Sequence, residues 1–424
     1  CSSDLNHTMR YFRLPSLLLL SVTLLLASCT EQFLENGEKL SPQNALLQLV
    51  DPVAVVNKVG IPDDSYIVVF KDSLSVLDVK REVSGLEKRL SVVPDFVYTR
   101  AIKGFAARLS PDALADLRRN PMVDFIEKDQ VVTLNSTVFS PSSWGLDRID
   151  QANLPLSYSF TYNNTGYGVK AYVIDTGILT THTEFGDRAM GGYSAINSPT
   201  DWTDANGHGT HVSGTIGGIN YGVAKEVTLV AVRVLDANGS GTTSGVISGI
   251  NWAIADHQAG EPAVANMSLG GGASSALDLA VQNAISDGIV MCVAAGNNAL
   301  DASKYSPARV KNAITVGATG RFTTTSASFD AIATYSNYGS VVDIFAPGTS
   351  INSSYIGDNN AVRTLSGTSM ATPHVTGVVA QYLSSNSTKT PAEVQTYIKT
   401  VATPKKVTGI KSTLTTTSLL YTNN

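Results

Sequence analysis

The chain has 424 residues, of which 43% are apolar and 15% charged. That is too apolar and too lightly charged for a disordered chain, and long enough for about two or three domains. The formal net charge of −5 lacks the basic excess of a nucleic-acid-binding surface, so no nucleic-acid partner is expected.

Arg10 and Arg13 precede the apolar run from Leu17 to Ala27, which is short for a membrane span and carries the basic flank of a secretory signal. Residues 1–29 are therefore expected to be a polar extension and a signal, with Met9 a candidate start. The end of the run, Leu26-Ala27-Ser28-Cys29, resembles a bacterial lipobox. Two readings stand side by side: lipidation at Cys29, which would tie the precursor to a membrane transiently, and an ordinary signal peptide cut nearby. His7 lies outside any predicted element. Residues 30–61 read as a polar linker.

Residues 62–135 read as a small domain. Tyr66–Phe70 has strand composition. Val76, Val79, Val83, Leu86 and Leu90 recur at helical spacing. Phe96–Tyr98 and Ile102–Leu109 read as strands. Ser110-Pro111 suits a helix cap and first position, with Leu114 and Leu117 following, and Val123–Ile126 is a last strand. The order β-α-β-β-α-β predicts a ferredoxin-like α+β unit. Turn-forming residues from Asn135 to Ser143 predict an exposed, cleavable junction.

Residues 136–424 are rich in Gly, Ala, Ser and Thr. Short apolar strands at Val169–Ile174, Leu229–Val234, Ala263–Met267, Val290–Ala294 and Ala313–Val316 alternate with helical stretches, which predicts an α/β domain with a parallel sheet flanked by helices. Cys292 lies within the apolar run Ile289–Ala294 and reads as a buried structural thiol. Cys1 and Cys29 are expected to leave with the leader, so the mature chain would hold no internal disulfide.

Three stretches carry chemistry: Val173-Ile174-Asp175-Thr176-Gly177, Gly207-His208-Gly209-Thr210-His211-Val212 and Gly367-Thr368-Ser369-Met370-Ala371-Thr372-Pro373. The first sets a carboxylate at the C-terminal end of a buried strand, where open α/β sheets build their sites. A lone Asp-Thr-Gly also marks aspartic proteases, but these need a second such motif and the chain has none. In the order Asp, His, Ser the three stretches resemble the subtilisin-like serine proteases, nearest the proteinase K branch. Asn266–Gly272, Ala294–Asn298 and Tyr335–Ser340 add to the resemblance, which extends from about Tyr66 to the C-terminus.

The resemblance implies a subtilisin-like catalytic domain behind an inhibitory propeptide, made as a self-processing, secreted, monomeric zymogen that acts on proteins and peptides. Asp175, His208 and Ser369 would form the triad. Asn297 would supply an oxyanion amide, with Gly296 allowing close approach. Asn238, Gly239, Ser240 and Gly241 on one side, and Ser268, Leu269 and Gly270 on the other, would pair with substrate as added strands. Ala294 and Gly296 would wall an uncharged pocket suited to apolar or aromatic residues. Plain turn geometry is the other reading of the glycines, and both can hold. A structural calcium would sit at Asp343 with the carbonyls of Lys311 and Ala313; the alternative is an aspartate solvated at a strand edge. Val212 stands where that branch often has a cysteine. His211 and His374 read as packed, His182 and His257 as surface residues. No zinc-ligand spacing points to a metalloprotease. A binding module that keeps the motifs without turnover is the rival function.

Overall fold

A computed structural model describes residues 62, 64–129, 131–133, 137–138, 143–323 and 328–422. The leader, the linker and the expected cleavage point at Asn135 lie outside the described residues.

The small unit follows the expected order: β1 (Ser65–Phe70), α1 (Val76–Leu90), β2 (Pro94–Tyr98), β3 (Gly104–Arg108), α2 (Pro111–Leu117) and β4 (Val123–Lys128). Its strands pair antiparallel in the order β2-β3-β1-β4. Local chemistry sets the helices. Ser75 and Asp78 form a capping box at α1, with Asp78 N donating to Ser75 Oγ at 3.2 Å and Ser75 N to Asp78 Oδ2 at 3.1 Å. Ser110 caps α2 and Pro111 opens it. Val79, Val83 and Leu86 are buried, whereas Val76, in the first turn, lies exposed. Val68 and Phe70 of β1 pack under α1 and α2 with Phe105 and Leu117. Ile67 and Val69 point the other way and join Tyr98 and Ala106 in the core of the larger unit.

Two short strands follow, β5 (Val131–Thr133) and β6 (Thr137–Val138). The larger unit opens with α3 (Gly145–Ile149), β7 (Lys170–Asp175), β8 (Ala189–Ser194), α4 (His208–Gly217), β9 (Thr228–Arg233), β10 (Ser240–Thr242) and α5 (Thr243–Asp256). It continues through β11 (Ala263–Met267), β12 (Gly271–Gly272), α6 (Ser275–Asp287), β13 (Val290–Ala294), β14 (Tyr305–Ser306), β15 (Ile314–Thr323) and β16 (Ser328–Ile332). β17 (Ile344–Pro347), β18 (Ile351–Ser354), β19 (Val362–Ser366), α7 (Thr368–Ser385) and α8 (Pro391–Val401) close it.

The central sheet runs β16-β15-β13-β11-β7-β9-β8, with β17 also paired to β15. Every pairing is parallel except β15 with β16. Both faces are covered. Ala171 and Val173 of β7 pack with residues of α4 and α7 such as Val212, Val375 and Val379. Tyr172 and Ile174 pack with Val246 and Ile250 of α5 and Val281 of α6. Burial on two faces explains the continuous apolar runs in the sequence. A buried Arg148–Asp330 pair, 2.8 Å apart, ties α3 to β16.

Candidate active site

Asp175 ends β7 and His208 opens α4, so the sheet's C-terminal edge and a helix N-terminus bring them together. His208 Nδ1 lies 2.8 Å from Asp175 Oδ1, which also accepts from Thr176 N at 2.8 Å. Both side chains are buried. With Nδ1 turned to a carboxylate, Nε2 is the ring nitrogen left to act as a base; it has no hydrogen-bond partner among the described residues.

A carboxylate missed in the sequence holds this pair in register. Asp204 Oδ1 accepts from Thr176 Oγ1 at 2.9 Å and Gly207 N at 2.8 Å, and its Oδ2 accepts from Thr210 N at 2.9 Å and Thr210 Oγ1 at 2.7 Å. Thr176 Oγ1 in turn accepts from Gly209 N at 2.9 Å. The residues flanking Asp175 and His208 thus share one buried acceptor. The only local signal was an acidic residue just ahead of a helix start.

Ser369 sits in the first turn of the 18-residue α7, where unpaired amides favour negative charge. Pro373 has no N–H to give the Ser369 carbonyl. Ser268 fills the gap: its Oγ donates to Ser369 O at 2.8 Å, while Ser369 Oγ donates to Ser268 O at 3.0 Å. Asn266 Nδ2 holds Ser268 Oγ at 2.9 Å, and Thr376 Oγ1 holds Asn266 Oδ1 at 2.8 Å. The Asn297 carbonyl accepts from Thr368 N and Thr368 Oγ1, both at 2.8 Å. This fixes the amide's flip, with oxygen rather than Nδ2 turned to Thr368. Gly296 has φ +98°, and a Cβ there would come 2.5 Å from Asn337 Nδ2, so the loop carrying Asn297 needs glycine.

Asp236 shapes one edge of the cleft, its Oδ1 accepting from Asn238 N at 2.8 Å and Ser240 N at 3.0 Å. Gly239 turns the chain at φ +72°, and Ser240–Thr242 emerge as β10. On the other edge Ser268, Leu269 and Gly270 follow β11. A cavity of about 240 Å³ lies beyond, walled by Gly270–Gly272 and Ala294–Gly296. Its floor, which the sequence did not reveal, is Tyr305, Ser306 and Ala308, and no charged side chain lines it.

The small unit docks on α5 and α6. β5 lies antiparallel on β10, with Ser240 opposite Thr133 and Thr242 opposite Val131. β6 lies antiparallel on β19, with Ser366 opposite Thr137. Glu127 reaches the start of α6, accepting from Ser275 N at 2.8 Å and from Ser274 Oγ. Asp129 does the same at α5, accepting from Ser244 N at 2.9 Å and from Ser244 Oγ. Two carboxylates thus meet two positive helix ends. Asn251 Oδ1 accepts from Thr99 N, Arg100 N and Ala101 N at 3.1, 2.8 and 3.2 Å.

The other four histidines among the described residues are buried and hydrogen-bonded. His211 Nε2 faces the carbonyls of Ile351 and Arg363 at 3.1 and 3.0 Å. Burial, with the nearby His208 adding to it, lowers its pKa to about 3. His374 Nδ1 bonds Met370 O at 2.8 Å, and burial lowers it to about 4. His182 and His257 correct the surface expectation. His182 Nε2 lies 2.9 Å from Ala361 O. His257 bonds Asp287 Oδ2 at 2.8 Å and Glu261 O at 2.9 Å. Their polar neighbours in sequence concealed partners supplied by other elements. Cys292 is buried, and burial pushes its thiol up to about 12.

Asp343 Oδ2 and the carbonyls of Lys311 and Ala313 do converge, and oxygens of these types suit calcium. The point they share, however, is held by Gln395 Nε2, at 3.5, 3.0 and 2.9 Å respectively. Lys399 Nζ lies 3.1 Å from Asp343 Oδ1. As arranged, the cluster holds internal donors in the place expected for an ion, and it does not fit one. Among the described residues no group of three or more His, Cys, Asp or Glu side chains could hold a metal, and no helix is long and apolar enough to cross a membrane.

Comparison with known proteins gives one answer. The subtilase family model matches residues 166–415 and the peptidase inhibitor I9 model residues 65–135. The chain is 47% identical over 371 residues to alkaline serine exoprotease A of Vibrio alginolyticus, covering 84% of this chain and 67% of the relative. It is also 47% identical over 403 residues to an extracellular serine proteinase of Thermus sp., covering 91% and 93%. The crystal structure of a cold adapted subtilisin-like serine proteinase superposes with a TM-score of 0.62 at 52% identity, covering 67% of this chain and 99% of that one. With the fold and the paired Asp175 and His208 already in view, these matches establish that the chain belongs to the subtilase family of serine proteases and carries an I9-type inhibitor segment ahead of its protease domain.

Proposed function

We propose that this serine protease is a secreted endopeptidase of broad specificity that cleaves after apolar or aromatic residues and processes itself, with residues 62–135 as inhibitory propeptide and 136–424 as catalytic domain. The observation that best supports the reading is the course of the chain across the cleft. β5 is added to the edge at Ser240–Thr242 and β6 to the edge at Leu365-Ser366, three residues short of Ser369. A chain held by main-chain pairing on both sides of a nucleophile is held as a substrate would be. Cleavage near Asn135 is the consequence.

In the proposed mechanism Ser369 Oγ leaves the Ser268 carbonyl and gives its proton to His208 Nε2 as it attacks the substrate carbonyl. Asp175, 2.8 Å from Nδ1, stabilises the imidazolium. Asn297 Nδ2 and the Ser369 N–H, at the positive end of α7, take the oxyanion. His208 returns the proton to the leaving amine, then activates the water that releases the acyl group. The uncharged cavity beside Gly270 and Ala294 supports an apolar residue at the cleavage point. The names of the Thermus and Vibrio relatives support export. If Cys29 is lipidated, cleavage near Asn135 would free the catalytic domain from the membrane.

The test compares the full chain with its Ser369→Ala variant by N-terminal sequencing and casein hydrolysis. The wild type should start near Ser136 and digest casein, with the variant uncut and inert. Equal cutting of both would assign processing to another protease. Absence of hydrolysis once the pro-segment is gone would favour a binding module.

A further inference from the structure

We propose that Gln395 and Lys399 form a built-in substitute for a metal ion at the oxygen cluster of Lys311, Ala313 and Asp343, so that α8 is clasped to the sheet without calcium at this place. Lys311 and Ala313 lie just ahead of β15 and Asp343 just ahead of β17, which are neighbouring parallel strands. Three oxygens therefore gather at one end of the sheet, and something electropositive has to meet them. A calcium ion would need six to eight oxygens at about 2.3–2.6 Å. The chain instead supplies N–H groups. The two hydrogens of the Gln395 amide match the two carbonyls, at 3.0 and 2.9 Å. Asp343 Oδ2 is left with Thr315 N at 2.9 Å, and Oδ1 with the Lys399 ammonium at 3.1 Å. The charge is balanced one for one.

The helix makes this possible through its period. Gln395 and Lys399 are four apart and lie on one face of α8. One position behind each, Val394 and Ile398 are buried in the core. The apolar pair sets the depth of α8, and the polar pair is thereby delivered to the cluster. Asp343 is only 13% exposed and Lys399 47%, so the carboxylate is sheltered while the ammonium keeps part of its hydration. An incoming calcium would have to displace the amide and meet an ammonium within one contact distance of its only carboxylate ligand.

The experiment measures the melting temperature of the full chain carrying Ser369→Ala, which stops self-digestion, in millimolar calcium and in excess EGTA. The same pair of conditions is applied with Asp343→Asn, with Gln395→Ala plus Lys399→Met, and with all three changes. Whatever calcium response the parent shows from other places should be unchanged by Asp343→Asn. The Gln395→Ala plus Lys399→Met protein should gain a further calcium-dependent rise of roughly 5 °C, and Asp343→Asn should remove that gain. Gln395→Ala alone, which empties the point shared by the three oxygens and leaves the Val394 and Ile398 packing intact, serves if the double change does not fold; equilibrium dialysis with radioactive calcium should then count one more ion per chain than the parent binds. The proposal is overturned if Asp343→Asn abolishes calcium binding or stabilisation in the parent. It is equally overturned if opening the clasp creates no Asp343-dependent calcium binding.

Discussion

The two sheets of the molecule solve the same burial problem differently. The central sheet has α4 and α7 on one face and α5 and α6 on the other, all of them its own. The four-stranded sheet has helices on one face only. Its second face, with Ile67, Val69, Tyr98 and Ala106 at no more than 2% exposure, closes on α5 and α6 of the larger unit. One region completes its core alone and the other completes it by docking. The difference teaches that the small unit's stability and its grip on the protease are the same interaction seen from two sides.

The largest expected effect bears on that point directly. A polypeptide of residues 62–133 alone should be mostly unfolded by circular dichroism and should fold on adding processed enzyme blocked at Ser369. A cooperatively folded free segment would break the comparison. Next, Ser369→Ala should cut turnover by about a millionfold, the size of the loss known for the same change in subtilisin itself. Calorimetry should find docking of the two regions unchanged, placing chemistry wholly in the larger one.

Acid separates the regions further, since residues 62–133 contain no histidine while the larger unit buries His211 and His374. Their folded pKa values, about 3 and about 4, lie below the unfolded value near ~6.5. The unfolded chain therefore binds more protons below pH ~6.5, and stability is lost as pH falls from there toward the folded values. At pH ~5 each ring should cost on the order of 2 kcal/mol, read as a lower denaturant midpoint of the inhibited processed enzyme than at neutral pH. A flat profile would show that the rings are not held neutral. At the small end, Asn251→Ala should weaken binding of a separately added pro-segment by about tenfold or more, because three backbone donors lose one acceptor. Glu127→Ala should cost about fivefold, the scale of one helix cap. Competition assays would rank the two, and the reverse order would put helix-end charge ahead of the clamp.

What could be read beforehand depended on how local the cause was. The α1 capping box, the Ser110-Pro111 start and the buried strands of the central sheet declare themselves within a few residues, and so do the short stretches around Asp175, His208 and Ser369. β8 did not. Its Ala189–Ser194 holds two glycines, which weaken a strand signal, yet Gly191 lies so close to the Trp202 ring that a Cβ would fall 1.9 Å from it. β18 and β19 are rich in Ser, Thr and Asn, which also speak for turns. Asp204, the Tyr305–Ala308 floor and the partners of His257 depend on contacts that only the folded chain makes. The Asp343 cluster is the instructive case. The family resemblance points to its three oxygens, but the groups that meet them come from a helix whose Gln395 lies 52 residues beyond Asp343.

The bond between Ser268 Oγ and the Ser369 carbonyl makes positions 268 and 373 an epistatic pair. Pro373 leaves an acceptor vacant, and Ser268 fills it. Ser268→Ala should therefore strand a buried carbonyl at about 1–3 kcal/mol, whereas in a Pro373→Ala background the restored amide could take that oxygen and the same change should cost less. The two substitutions should not add in a double-mutant cycle. A drifting sequence could thus exchange the serine safely only after, or together with, the proline one turn beyond the nucleophile.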